Sequence, residues 1–318
     1  MASRTKKKTP EQEALELAAL KKEQRSQQMI GMIAVGIIVL IIALSGFFIW
    51  KGHQPKTADV VPSFVTSNGA IVITKDGIEQ DGKKWDNVNS AKTNTINGLP
   101  VLTNGQDPLC PGCGALEREI GSAVEYWIDN DKLVYKNWPI SILNRLSNDT
   151  EYSTRVAAAL YRMAELEPDH YLDFVKIMYE SGVQPNESAF KDIPDEKIAE
   201  YAEKAGASKK NAQKVIDCKY KDYVDANSEN LSKDESLYRD ANGTKTFMTP
   251  LLVINGEVLD DFNQDDMTSY IASKLGLKVP SDDELKKYEA LPIADESTDG
   301  AESKKTEDET SDSTGTEK

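Results

Sequence analysis

A chain of 318 residues, 39% hydrophobic and carrying a formal charge of −15, has room for one or two folded domains with a sizeable core. The acidic balance argues against general nucleic-acid binding. Three cysteines are too few for a disulfide-stapled scaffold, which a chain this long does not need, so a thiol pair here points to chemistry before structure.

Residues 1–28 are polar and basic, with Arg4, Lys6, Lys7, Lys8, Lys21, Lys22 and Arg25 ahead of an apolar run; Thr9-Pro10-Glu11-Gln12 reads as the start of a short juxtamembrane helix. The run Met29–Trp50 has 22 residues and no charge, enough at about 1.5 Å per residue to cross a hydrocarbon layer of about 30 Å. It exceeds the h-region of a signal peptide and is followed by no clear small-residue cleavage site, so it is read as an uncleaved anchor. Seven basic residues precede it and only Lys51 and Lys56 follow closely, which places the N-terminus in the cytoplasm and the rest of the chain outside. In such a compartment disulfides persist.

Residues 51–68 read as a linker with Pro55 and Pro62. Ala70–Thr74 and Leu99–Thr103 are predicted strands, the second running into Leu109-Cys110-Pro111-Gly112-Cys113-Gly114. A helix follows, with Leu116, Ile120, Val124, Trp127 and Ile128 on its apolar stripe, and then an alternating strand, Lys132–Trp138, ended by Pro139. This is a βαβ unit. Helical periodicity continues from Ser153 to Tyr238, an insert over about 150–240. In it Ser208 caps a helix carrying Ala212, Val215, Ile216, Tyr220 and Tyr223, with Cys218 on the flank of that stripe. Strand pattern resumes at Phe247–Ile254, turns at Asn255-Gly256 as a type I′ hairpin signal and returns as Glu257–Leu259; a last helix, about Gln264–Leu275, stops at Gly276. One α/β domain therefore spans 69–280. Residues 281–318 carry 13 Asp and Glu against 5 Lys with few large apolar side chains, and read as a disordered acidic tail.

The Cys-x-x-Cys pair sits where a helix begins. There two sulfurs can join or part with little backbone movement, and unpaired N–H groups and the positive end of the helix macrodipole favour the thiolate of Cys110. Cys113, one turn in, is the less exposed and suited to resolving a mixed disulfide. Pro111 removes an orphan N–H and pre-sets the helical φ, and Gly112 adds no side chain to shield the sulfurs. A structural disulfide, or half of a zinc site completed by Cys218 and His170, stays open on this pattern alone. No phosphate loop or Ser-His-Asp arrangement stands beside it, and neither a cofactor nor a resident metal is expected.

The succession strand, Cys110-Pro111-Gly112-Cys113, helix, strand, helical insert opened by Ser153-Thr154-Arg155-Val156-Ala157-Ala158-Ala159, then Met248-Thr249-Pro250 before Leu251-Leu252-Val253-Ile254-Asn255-Gly256, resembles the thioredoxin fold of DsbA-like thiol-disulfide oxidoreductases. The resemblance covers about Asn68 to Val279 and implies Cys110 as attacking thiolate, Cys113 as its resolving partner, and Pro250 as a cis-proline facing them. The Thr249 backbone would then pair with an extended substrate as an added strand. One residue departs from the pattern. Thioredoxins and many relatives carry a buried carboxylate six residues before the first cysteine, where this chain has Asn104, and Asp107 is expected on a surface loop.

The resemblance implies an α/β thioredoxin-fold enzyme, here behind the transmembrane helix read from residues 29–50, forming disulfides in reduced exported proteins. A membrane partner, quinone-linked and DsbB-like or vitamin-K-epoxide-reductase-like, would recharge it. The alternatives are a reductase or isomerase of the same fold, since Pro-Gly between the cysteines leaves the direction of electron flow open, and a redox-inactive binding module on the same scaffold.

Overall fold

The computed structural model describes residues 56–81, 95–241, 243–262 and 264–290, all in the unit Lys56–Lys318. The predicted basic segment and the apolar run 29–50 lie outside the described residues. Among the described residues no helix is long and apolar enough to cross a membrane.

A mixed sheet is the frame. Its strands are β1 (Ile71–Thr74), β2 (Gly77–Ile78), β3 (Thr95–Ile96), β4 (Leu99–Gln106), β5 (Val134–Pro139), β8 (Leu251–Ile254) and β9 (Glu257–Val258), in the order β2-β1-β5-β4-β8-β9 with β3 paired to β4. β4 and β5 are parallel, with Val101 opposite Val134 and Gln106 opposite Pro139; β8 runs antiparallel to β4 on its other side. The helix joining β4 to β5 is α1 (Pro111–Asp129), which completes the βαβ unit. Strand alternation sorts the side chains. Ile71, Ile73, Leu102 and Tyr135 join the main core with the helices, while Val72, Val101 and Val134 pack on the opposite face with Ile96.

Between β5 and β8 come α2 (Tyr152–Leu166), α3 (Tyr171–Met178), α4 (Asp195–Lys204), α5 (Lys209–Val215) and α6 (Lys221–Ser232). α2 is the centre of this group and packs on α3, α5 and α6, while α3 also touches α1. The helices are joined to the sheet by apolar burial: Val156, Leu160, Tyr161, Phe174 and Val175 are all within 1% of full burial in the same core as Leu102.

Four segments differ from the sequence reading. The linker 51–68 is packed at its C-terminal end: Phe64 is buried against Tyr220, and Val65 bridges to Ile71. The helix capped by Ser208 stops at Val215, and Cys218 occupies a turn before α6 with φ 57°. Two ion pairs to α2 pin that turn, Asp217 to Arg162 (2.9 Å) and Lys219 to Glu165 (2.6 Å). The helical pattern to Tyr238 ends at Ser232, after which β6 (Arg239–Ala241) and β7 (Thr244–Thr246) form a separate hairpin turned at Gly243 (φ 83°). Finally, the first ten residues of the expected acidic tail are ordered. α8 (Asp282–Leu285) begins with a Ser281–Glu284 capping box, and Tyr288 is buried against α1. The Tyr288 carbonyl accepts from Ser122 Oγ (3.0 Å) and Lys176 Nζ (2.9 Å), and its ring meets Tyr126 edge-on. The remainder of the expected tail, 291–318, lies outside the described residues. The closing helix α7 (Met267–Leu275) ends at Gly276 in the left-handed region, as read.

Candidate active site

Cys110 is the N-cap of α1, with extended backbone (φ −74°, ψ 116°), Pro111 behind it and no side-chain cap on the helix. Its carbonyl accepts from the N–H groups of Cys113 (3.1 Å) and Gly114 (3.2 Å), which closes the first turn. Cys110 is 7% exposed and Cys113 is 0% exposed; the two thiols are free. Across from them the Thr249–Pro250 peptide is cis, and the Thr249 carbonyl accepts from Cys110 Sγ at 3.4 Å. Gly112 is the point of closest approach. A Cβ there would lie 3.2 Å from Pro250 Cδ and 3.8 Å from Cys110 Sγ, so a side chain at this position would require Pro250 to give by a few tenths of an ångström. The six residues singled out from the sequence, Cys110, Pro111, Gly112, Cys113, Thr249 and Pro250, thus gather at one place.

The thiols are unlike each other. Cys110 is brought down to about 7, chiefly by a hydrogen bond with the Cys113 thiol, and hydrogen bonding with Thr249 and the Cys113 backbone adds to this and outweighs partial burial. Cys113 is pushed well above its ordinary value, first by burial and then by the neighbouring Cys110 sulfur. The outer sulfur is thus the more readily ionised and the inner one the more firmly protonated.

Four side chains that the sequence reading did not place here build the surroundings. Asp107 is not on a surface loop. It is fully buried three residues before Cys110, where its Oδ1 accepts from Leu109 N–H (2.8 Å) and Ser153 Oγ (2.7 Å), and its Oδ2 from Ile142 and Leu143 N–H (2.7 and 3.0 Å). Burial raises this carboxyl above its ordinary value, and the four donors offset part of that rise. No donor-free edge is left for a proton, so the geometry holds it as the carboxylate. Gln184 clamps the cysteine loop from the insert, its Nε2 donating to the carbonyls of Pro108 (3.0 Å) and Cys110 (2.9 Å). Arg239, on β6, donates from Nη1 to the Pro250 carbonyl at 2.9 Å. Glu117 stands one turn beyond Cys113 on α1, 6% exposed, and accepts from Gln106 Nε2 at 2.7 Å.

Glu117 bears on the Asn104 departure. Asn104 is buried and donates to the Tyr135 hydroxyl (3.1 Å), while its own Oδ1 has no partner. Gln106, Asn137, Tyr135 and Tyr171 continue a buried polar network that ends at the Glu117 carboxyl. A buried carboxyl is thus supplied by α1, one turn from Cys113, whereas β4 carries Asn104. Burial raises it, and the Gln106 hydrogen bond and the Lys176 charge oppose that. A buried carboxyl raised above its ordinary value is suited to proton exchange. The spacing Cys113 to Glu117 was legible as one helix face; Gln184 and Arg239 reach the site only through tertiary packing and left no local signal.

Beside Cys110 a cleft of about 730 Å³ opens between the Ile142–Leu143 loop, α6 with Asp225, and the Phe247–Met248 approach to Thr249. Cys218 is exposed in its turn, away from the helix flank expected for it. Among the described residues no group of three His, Cys, Asp or Glu side chains could hold a metal ion.

A family model described as thioredoxin matches residues 99–273, more than half of the chain. Among curated proteins, serine/threonine-protein kinase PknE of Mycobacterium tuberculosis H37Rv is 31% identical over 102 residues, 32% of this chain. The matched part is 18% of the kinase, so the chain spans less than a fifth of that relative's length. Among solved structures, reduced DsbA of Mycobacterium tuberculosis is 24% identical with a TM-score of 0.49, covering 70% of this chain and 99% of that one. MdbA, a thiol-disulfide oxidoreductase of Corynebacterium diphtheriae, is 18% identical with a TM-score of 0.46, covering 70% and 96%.

Proposed function

Because this chain belongs to the thioredoxin family, we propose that it is a thiol-disulfide oxidoreductase, anchored through residues 29–50 with its domain outside the cell membrane, that forms disulfides in reduced exported proteins. The observation that carries the reading is the unequal pair: a thiol drawn down to about 7 at the helix start, beside a fully buried partner held protonated. That asymmetry suits one sulfur to attack and leaving, and the other to resolution.

In the oxidised enzyme a substrate thiolate attacks Cys110 Sγ; the Cys110–Cys113 bond breaks, and Cys113 leaves and takes a proton, for which Glu117, one helical turn further along α1, is a buried candidate donor. A second substrate thiolate then attacks the substrate sulfur of the mixed disulfide, and Cys110 departs as a thiolate. The substrate has lost two electrons and two protons, and the enzyme dithiol holds the electrons. A quinone-linked membrane protein, DsbB-like or vitamin-K-epoxide-reductase-like, would take them. Thr249 and Pro250 would present backbone to the incoming chain, with Pro111 and Gly112 shaping the contact.

Refolding of a reduced, cysteine-containing client by the full chain in detergent tests this. The parent should restore client activity with an oxidant present, and Cys110→Ala should not; equal oxidation by both removes the proposal. A potential near about −120 mV would fit the oxidising direction and one near about −270 mV the reducing one.

A further inference from the structure

We propose that Arg239 is a positioning residue of the exchange site: its guanidinium holds the Pro250 carbonyl and thereby the Thr249 backbone opposite Cys110, and supplies the cation that favours the attacking thiolate. The inference deepens the oxidoreductase reading and rests on it for its role in turnover.

Arg239 opens β6, level with Thr246 of β7, and β7 runs directly into Phe247-Met248-Thr249-Pro250. The hairpin is therefore the stem of the loop that faces the cysteines, and Arg239 bonds its base to its tip. Nη1 donates to the Pro250 carbonyl at 2.9 Å and Nη2 to the Asp260 carbonyl at 3.2 Å, while the guanidinium lies over the Phe262 ring at 4.3 Å. Three contacts fix the plane of the fork. A lysine ammonium has neither the second arm nor the flat face. The Asp260 side chain ties the same hairpin by accepting from Asp240 N–H at 2.9 Å.

Both hydrogen bonds go to backbone carbonyls, which leaves the formal charge of the group in place. Nε is buried without a partner, a cost that an ordinary stem arginine would avoid by turning to water. The charge is partly desolvated and interacts with both Cys110 and Cys113, after the nearer Asp260 carboxylate. An opposite charge in a half-buried setting favours an ionised thiol. Of the charged groups around Cys110, Asp107 acts against its ionisation; Arg145, Glu187, Asp225 and Glu229 line the cleft with Cys110, and Arg239 stands behind the Pro250 carbonyl.

The test uses Arg239→Gln and Arg239→Lys in the full chain, read two ways. Thiolate absorbance follows Cys110 ionisation without any turnover, and exchange with a cysteine peptide gives KM and kcat. Arg239→Gln should titrate at higher pH than the parent, with the thiolate fraction at pH 6 lowered about threefold or more, and a raised KM. Arg239→Lys should restore the titration but keep a KM several-fold above the parent, because one carbonyl is no longer held. Parental titration and parental KM in both variants overturn the proposal. If Arg239→Gln does not fold, the lysine variant decides, and a parental KM in it is the overturning result. A shifted titration in a protein that exchanges no disulfide would leave Arg239 in this role and remove the oxidoreductase reading instead.

Discussion

Asp107 shows what a single buried carboxylate does for this site. Each of its oxygens faces two donors, and those donors come from the cysteine loop, the Ile142–Leu143 cleft wall and α2. Asp107→Asn would turn an amide N–H₂ toward one of these pairs and leave buried donors opposed. A loss of about 3 kcal/mol is expected, read as a lower urea midpoint at unchanged slope. The sequence expectation of a surface loop fails because three of its four donors, Ile142, Leu143 and Ser153, come from more than thirty positions away. Glu117 makes the opposite case. Its folded value is raised by burial, so its contribution to stability is full below the unfolded carboxylate value of about 4.3 and is lost as pH rises through the folded value. Glu117→Gln removes that titration while Oε1 can still accept from Gln106. Urea unfolding across pH 4 to 8 should show no advantage of the variant at the acid end and a growing one as pH rises; parallel curves would mean Glu117 does not titrate as argued.

At the scale of elements, what periodicity and local chemistry specify was legible, and what distant contacts decide was not. α1 follows from an apolar stripe and Pro111 at its first position, and the β8–β9 hairpin from Asn255-Gly256, both of which adopt positive φ. The hairpin β3–β4 carried the same signal in Asn97-Gly98 (φ 53° and 82°) and went unread beside the stronger strand that follows. The break between α5 and α6 has no such mark, because ion pairs from α2 hold the turn. The segment after Pro280 departs from the sequence expectation for a related reason: composition alone predicts disorder, yet a capping box, the buried Tyr288 ring, the bonds to its carbonyl and the Lys287–Asp129 pair dock its first residues on the domain. Tyr288→Ala should release them. Protease cleavage beyond Pro280 in the full chain is expected to accelerate on the order of tenfold or more, with little change in the main unfolding transition, since the lost burial is local. Unchanged cleavage would show that the capping box and the Lys287–Asp129 pair hold the segment without the ring.

Across the whole molecule, the fold brings two stretches about 140 positions apart in the chain to a 3.4 Å contact, Cys110 Sγ to the Thr249 carbonyl. The motif itself was visible in the sequence. The asymmetry of its thiols is not, because it depends on the full burial of Cys113 and on the hydrogen bonds that Cys110 makes with Cys113 and Thr249. That asymmetry couples chemistry to global stability. Cys110 has a folded value near 7 against an unfolded value of about 8.5, so in the dithiol form it contributes stability that is present above the unfolded value and is lost as pH falls through 7. A difference of this size is worth about 2 kcal/mol at most. Cys113 acts in the other sense: held protonated when folded, it costs stability once pH passes the unfolded value. The disulfide form has neither titration. The dithiol protein should therefore gain on the disulfide protein between about pH 6 and pH 8.5, and the gain should level off or reverse above that as Cys113 takes over. Paired urea unfolding of the two forms over pH 5 to 10 measures this. A difference independent of pH through neutrality would mean that Cys110 is no better ionised in the folded chain than in the unfolded one, and the site would lose its attacking sulfur.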